Sequence, residues 1–412
     1  MKITLRVGRE RDVVRYLGIL FMALLIAGLT PALYRGDESQ PELTVQVGKT
    51  VEISASNINY CWFPTVHRFP TGEILVTMRM SGDDANPEGE LSGYCVSKDG
   101  GQTWGRRYTL GAGANVDAAY TQVIPADGPL CVLGAGYDSL EAAPPGQAVD
   151  FRAALSKISR GGLELTQIRD ARIHLAEPAW SMPPTVMETG RKDATNLSVV
   201  YEADPQGTII GGPGGELLAT FYYMTQRDSR RRRLVLIRST DQGRNWEEYG
   251  VIAAIQPKEE PWPWMGKEGP NEASLVRLPS GRLYCIFRTG EGGYLGQARS
   301  ADDGKTWTQP VSTGLIGVAP HLRLMSDGLL ACSTGRPGPV IVMFSSDEGK
   351  TWTNVTTVST GKSTHYSDLV EVEPGKLLVV YDSTPYGWHP IPLSDKSSKN
   401  AIYGTFVEVR RR

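Results

Sequence analysis

Four copies of one short pattern constrain this chain more than any other feature. Ser97–Trp104 reads S-K-D-G-G-Q-T-W, Ser239–Trp246 reads S-T-D-Q-G-R-N-W, Ser300–Trp307 reads S-A-D-D-G-K-T-W and Ser345–Trp352 reads S-S-D-E-G-K-T-W. Ser, Asp, Gly and Trp return at fixed offsets, each time between two strand-like runs. These residue types suit a tight β-turn: Asp and Ser hydrogen-bond nearby amides, Gly tolerates positive φ, and Trp fills the space beneath. A turn that recurs in this way marks a repeated supersecondary unit.

The 412 residues around the boxes are rich in turn formers, with 46 glycines and 27 prolines. Runs such as Gly214–Tyr222, Ser280–Arg288, Asp327–Arg336 and Pro374–Asp382 read as strand pairs centred on Gly turns. The gap from Ser97 to Ser239 is too long for one unit, and Asp127–Tyr137 supplies another hairpin within it. The segment after that hairpin, A-L-S-K-I-S-R-G-G-L-E-L, looks like a box without its Asp and Trp. Counting these gives six units of roughly 40–60 residues, the size of propeller blades. Thr44–Ile53 is placed to pair with Ala401–Val409, joining the chain ends and leaving no long exposed sheet edge. The expected fold is therefore all-β, a single six-bladed β-propeller over residues 44–412.

Composition narrows the partners. A formal net charge of -2 provides no basic footprint, so a nucleic-acid partner is not expected. The five cysteines form no close C-x-x-C pair, which indicates neither a zinc site nor a disulfide framework; they read as small buried hydrophobes. No metal or cofactor is expected. At the N-terminus, Lys2, Arg6, Arg9, Arg11 and Arg15 precede the uncharged run Tyr16–Tyr34. That order of basic, apolar and small residues makes residues 1–34 an export signal peptide or an uncleaved membrane anchor, with 35–43 as linker. Either way the propeller is expected outside the cytoplasm, whether periplasmic, secreted or membrane-attached. Arg230–Arg233 reads as a solvated hairpin turn, while Trp262 and Trp264 suit either a sugar-binding cleft or packing of a Pro-rich loop.

A propeller does not specify an activity, so chemistry has to be sought where strand ends converge on one rim. Glu272 and Arg288 fall on consecutive strands of one unit, Asp83 and Asp84 form a carboxylate pair on a loop after a strand, Tyr366 opens the last unit, and Arg336 precedes the strand leading to the last box. Each also has a plain structural role open to it: strand aromatic, ion pair or turn residue. Buried charges are costly unless paired, which makes a cluster of them a reasonable site.

The boxes, together with N-E-A-S-L-V-R-L-P-S-G-R-L-Y-C-I-F-R, Y-S-D-L-V-E-V and L-L-V-V-Y-D, resemble the sialidase (neuraminidase) superfamily from about Trp62 to the C-terminus. The resemblance implies a retaining exo-glycosidase with a tyrosine nucleophile, acting on a glycan or sialoglycoconjugate. Residue by residue, Tyr366 resembles that nucleophile, Glu272 the carboxylate that takes its proton, and Asp84 the general acid/base, with Asp83 a close alternative. Of three arginines that grip the sugar carboxylate, Arg288 matches the second and Arg336 the third, with Arg323 as fallback. The first is missing: Trp62-Phe63-Pro64 stands where the family opens its first blade with an arginine. A charge-assisted hydrogen bond to a carboxylate contributes about 1.5–3 kcal/mol, so the missing fork weakens binding of an acidic sugar by about tenfold or more. Trp62 offers a ring on which a sugar could stack instead. Other outcomes consistent with these residues are a glycosidase or lyase for a different sugar and a propeller that binds carbohydrate or protein without catalysis.

Overall fold

The computed structural model describes residues 42–57, 60–69, 71–80, 92–110, 121–123, 130–135, 150–158, 165–177, 203–225, 228–256 and 258–412. The N-terminal segment expected to be a signal or anchor and the pair Asp83 and Asp84 lie outside the described residues. Among the described residues no helix is long and apolar enough to cross a membrane.

The chain is built from strands. Strand β1 (Leu43–Ser56) starts one residue inside the expected linker and is followed by β2 (Trp62–Arg68), β3 (Ile74–Arg79), β4 (Ser92–Ser97) and β5 (Tyr108–Leu110). Next come β6 (Thr121–Val123), β7 (Leu130–Ala135), β8 (Asp150–Ile158) and β9 (Leu165–His174), then β10 (Ala203–Gly211), β11 (Leu217–Met224), β12 (Arg232–Ser239) and β13 (Asn245–Ala253). The second half contains β14 (Ala273–Arg277), β15 (Leu283–Phe287), β16 (Gly296–Ser300), β17 (Val311–Ser312), β18 (Val318–Leu324), β19 (Leu330–Gly335), β20 (Val340–Ser345) and β21 (Thr353–Ser359). It ends with β22 (Ser367–Glu373), β23 (Lys376–Ser383) and β24 (Asn400–Arg411).

These strands form an all-β propeller with five sheets, not the six separate blades expected. Four sheets have four strands each, and the fifth has eight, in the order β10-β11-β12-β13-β9-β8-β7-β6. The physical reason is a parallel pairing in which Asn245–Glu247 of β13 lies beside Arg172–His174 of β9, fusing two successive meanders at their outer strands. Sequence spacing separates meanders but carries no signal for a pairing between strands so far apart. The ring closure is as expected: β1 runs antiparallel to β24, with Val45 opposite Val409 and Val51 opposite Gly404.

Middle strands are buried on both faces because each sheet packs between two others, so they read as continuous apolar runs. Strand β15 (L-Y-C-I-F) and β3 (I-L-V-T-M-R) are buried throughout. One core cluster joins Leu218 and Leu236 to Leu275, Leu283 and Phe287 of the next sheet; another joins Ile74 and Val76 to Leu378 and Phe406 across the ring closure. Cys61, Cys95, Cys285 and Cys332 are free and buried within this packing.

Each box is the turn between the third and fourth strands of its meander. In the copy at Ser300, the Ser300 hydroxyl accepts from the Gly304 amide at 2.8 Å, and Asp302 accepts from the Thr306 amide at 2.9 Å and its hydroxyl at 2.7 Å. Those bonds, led by the Thr306 amide, hold the exposed Asp302 carboxyl at about 2. Gly304 sits at φ 95° and accepts from the Trp307 indole at 2.9 Å. The tryptophans reach the interfaces between sheets: Trp104, Trp307 and Trp352 each join a core cluster. The box is therefore a structural fastening, away from the rim chemistry.

Two smaller expectations resolve differently. Of Arg230–Arg233, only Arg230 is exposed; Arg232 is buried and donates to the Glu268 carbonyl at 2.6 Å, and Arg233 pairs with Glu248 at 2.7 Å. The run is solvated at one residue because its second half enters β12. Trp262 and Trp264 stack on each other with centroids 5.2 Å apart and pack against the core, which favours the packing role.

Candidate active site

Propeller geometry brings the starts of first strands and the ends of second strands to one rim. Ala273 pairs with Phe287 across β14 and β15, so Glu272 and Arg288 emerge side by side just beyond the ladder. Ser367 pairs with Tyr381 across β22 and β23, which places Tyr366 and Asp382 in the same relation.

At this rim the Tyr366 hydroxyl donates a short hydrogen bond to Glu272 Oε1, although 94 residues separate the two in sequence. The same oxygen accepts from Arg288 at 2.9 Å, and Glu272 Oε2 accepts from the Ala319 amide at 3.0 Å. Arg288 also donates to Glu268 Oε1 at 2.8 Å. Glu272 is 7% exposed, so its charge is held away from water by an arginine, a phenol and a backbone amide. The Tyr366 phenol is raised well above its ordinary range, first by burial and then by the negative charge of Glu272 beside it, with Arg288 opposing. Among the charges around Arg288, burial acts against the protonated guanidinium, but the carboxylates of Glu272 and Glu268 outweigh it and keep the group charged.

Arg336 completes the surroundings. Its guanidinium lies 5.7 Å from the Tyr366 ring centroid and 5.3 Å from that of Trp388, and it donates to the Thr364 carbonyl at 2.8 Å. Arg323 instead donates to the Leu369 carbonyl at 3.1 Å, so Arg336 is the nearer cation to Tyr366. Behind the loop that carries Tyr366, the fully buried Asp382 accepts from the Ser363 hydroxyl at 2.8 Å, the Thr364 amide at 2.7 Å, the Thr364 hydroxyl and the Phe63 amide at 3.2 Å. Burial pushes its carboxyl up, while these bonds counter the shift.

Backbone strain gathers at the same place. Phe63 (φ 50°), Ala319 (φ 37°), Arg336 (φ 44°) and His365 (φ 68°) all adopt the left-handed region, and each adjoins or touches a member of the group. Non-glycine residues in that region cost about 1–3 kcal/mol and persist where surrounding contacts impose them, as at functional sites.

The structure thus brings together Tyr366, Glu272, Arg288 and Arg336. Trp62 is a correction: it is 0% exposed, stacked on Tyr60 at 4.3 Å and on Phe63 at 4.9 Å and tilted against Trp388 at 5.3 Å, so its ring is not open to a sugar. The next residue turns outward instead, because Phe63 takes positive φ, and its ring stands 4.6 Å from Tyr366. Asp83 and Asp84 lie outside the described residues. Sequence reasoning missed Phe63, Glu268 and Trp388; the first adjoined a noted departure, whereas the other two sit in connections with no motif. Among the described residues no cluster of three or more His, Cys, Asp or Glu is arranged to hold a metal.

Comparison with known proteins agrees with the fold. Residues 177–379 match the family model of the BNR repeat-like domain. A comparison with curated protein sequences finds no match. Among solved structures, a protein of unknown function from Dyadobacter fermentans is 19% identical with a TM-score of 0.66, the match covering 89% of this chain and 99% of that one. A Hadza microbial sialidase is 16% identical with a TM-score of 0.57, over 85% of this chain and 66% of that one. The α-L-arabinanase of Penicillium chrysogenum is 15% identical with a TM-score of 0.55, over 87% and 98%. At these identities the likeness carries the fold alone. The boxes and propeller sheets accord with the match to the BNR repeat-like domain, and the chain is similar in fold to solved sialidase and arabinanase propellers.

Proposed function

We propose that the protein is a retaining exo-glycosidase that removes a terminal acidic sugar, sialic acid or a relative, from glycans. The observation that carries this reading is the Tyr366 hydroxyl bonded to Glu272 between Arg288 and Arg336. A phenol with a raised pKa attacks only if its proton leaves as the new bond forms, and Glu272 Oε1 is the acceptor in place to take it. In this scheme Tyr366 Oη bonds to the anomeric carbon as its proton passes to Glu272, and the glycosidic C–O bond breaks as Asp84, or Asp83, protonates the departing oxygen. Water then attacks the same carbon, giving its proton to that aspartate, while the phenolate leaves and recovers its proton from Glu272. A neutral hydroxyl approaches an anionic sugar without the repulsion a carboxylate nucleophile would meet. The basic and apolar N-terminal segment fits a working place outside the cytoplasm.

A second reading, a neutral sugar such as arabinose, is favoured by two observations. Phe63 occupies the rim where the superfamily pattern has an arginine, and Glu268 already claims one side of the Arg288 fork. Both leave less positive charge for a sugar carboxylate. The test is turnover of fluorogenic aryl sialosides and aryl arabinofuranosides by the wild type, Tyr366→Phe and Glu272→Gln. The expected result is sialoside turnover that Tyr366→Phe abolishes and Glu272→Gln lowers by about 10²–10⁴-fold. Full turnover by Tyr366→Phe excludes the mechanism, arabinofuranoside turnover alone selects the second reading, and no turnover leaves a carbohydrate-binding propeller.

A further inference from the structure

We propose that Asp382 is a positioning residue for the reaction: its buried carboxylate fixes Tyr366, Arg336 and Phe63 as one unit, and Tyr366 meets Glu272 only while that unit is intact. The proposal rests on the glycosidase reading above, in which Tyr366 is the nucleophile.

Asp382 lies near the end of β23, opposite Ile402 of β24, and is 0% exposed. Its two oxygens divide four donors evenly. Oδ1 takes the Ser363 hydroxyl at 2.8 Å and the Thr364 amide at 2.7 Å, and Oδ2 takes the Thr364 hydroxyl and the Phe63 amide at 3.2 Å. None of these donors is a cation, so the carboxylate is kept at a desolvation cost that no ion pair among them offsets. What it provides is geometry.

Three paths lead from this carboxylate to the rim. In the first, each hydroxyl that donates to Asp382 accepts from the amide two residues on, Ser363 from His365 at 2.8 Å and Thr364 from Tyr366 at 3.4 Å. With their hydrogens committed to Asp382, both hydroxyls turn lone pairs toward those amides, which holds His365 at φ 68° and sets the backbone of Tyr366. In the second, Thr364 is pinned at its amide and hydroxyl by Asp382 while its carbonyl accepts from Arg336 at 2.8 Å. In the third, the pairing of β2 with β3 shifts register between Trp62 and Thr65, which frees the Phe63 amide from the ladder for Asp382. Phe63 then takes φ 50° and its ring stands 4.6 Å from that of Tyr366. Asparagine has the shape of aspartate but a single acceptor oxygen. In either orientation its NH₂ faces a backbone N–H, of Thr364 or of Phe63, that cannot turn away, so Asp382→Asn should part Tyr366 from Glu272.

Fluorine NMR of the full-length protein carrying fluorotyrosine tests this without catalysis, the Tyr366 resonance being identified by its loss in Tyr366→Phe. In the wild type that resonance is expected to stay unmoved through the pH range in which the exposed tyrosines titrate, whereas in Asp382→Asn it should titrate with them. For a glycoside that the wild type turns over, Asp382→Asn should lower kcat per folded molecule by about 10²-fold, with most of the loss in kcat rather than KM. Circular dichroism supplies the folded fraction, so a merely structural role leaves that kcat unmoved. Thr364→Val removes one donor and keeps the carboxylate; it should lower kcat by about tenfold and carries both readouts if Asp382→Asn does not fold. A Tyr366 resonance that stays unmoved in the folded variants, or a kcat per folded molecule equal to that of the wild type, overturns the proposal. If the wild type turns over no glycoside, the glycosidase reading falls and the fluorine titration alone decides whether Asp382 positions Tyr366.

Discussion

The phenol of Tyr366 is a weak nucleophile by itself, and its surroundings make spontaneous ionisation harder still. Burial and the Glu272 charge both favour the protonated form, so the hydroxyl stays neutral through the range where an ordinary tyrosine begins to ionise. This links the site to stability. A group whose pKa is raised on folding contributes stability that is fully present below its unfolded value near 10 and is lost as pH rises through the folded value. The melting temperature of the wild type should therefore fall more steeply than that of Tyr366→Phe above about pH 10, the ordinary tyrosine value; parallel curves would contradict the assigned environment. Glu268 offers a second residue-scale test. Because it holds Arg288 at 2.8 Å with its side chain about a third exposed, Glu268→Gln should free the guanidinium and lower KM for an aryl sialoside by about two- to fivefold. A raised KM would mean that Glu268 helps to bind the substrate. At this scale the sequence was informative where a motif surrounded the residue, as for Tyr366, Glu272 and Arg288. Trp388 was illegible because its neighbourhood is an irregular connection, and Trp62 misled because the positive φ of Phe63, which exchanges the outward ring, is invisible in residue order.

The strands and their boxes were the most legible elements, since the box is a local structure whose hydrogen bonds span only two to four residues. Its residues act together: the turn sets the reversal, and the tryptophan anchors it against the core. Trp246 is 1% exposed, so Trp246→Ala should cost about 3–5 kcal/mol in urea unfolding, with any surviving folded fraction keeping its ligand affinity. Asp347→Ala removes bonds to the Thr351 amide at 2.9 Å and hydroxyl at 2.7 Å, which should cost about 1–2 kcal/mol and leave KM alone. A change in KM for either variant would mean that the boxes shape the rim directly. The parallel contact of β13 with β9 was illegible for the opposite reason, being a pairing over only three residues between distant strands.

On the scale of the whole molecule, ring closure brings distant parts of the chain to one rim. Strand β24 is hydrogen-bonded on one side to β23 and on the other to β1, so the sheet that carries Tyr366 depends on the first strand of the described chain. Deleting residues 1–56 should expose the β24 edge, lower the melting temperature and promote aggregation; an unchanged melting temperature would contradict the closure. The closure was legible because both strands carry strong apolar alternation. The site itself was legible only as separate residues, because sequence order says nothing about which strand ends face each other across a rim. The most direct measurement of the central claim is mechanism-based trapping with a fluorinated glycosyl fluoride of the turned-over sugar, followed by intact mass and peptide mapping. The account predicts one covalent glycosyl group on Tyr366, absent from Tyr366→Phe; an adduct on a carboxylate, or steady turnover with no adduct on Tyr366, would contradict it.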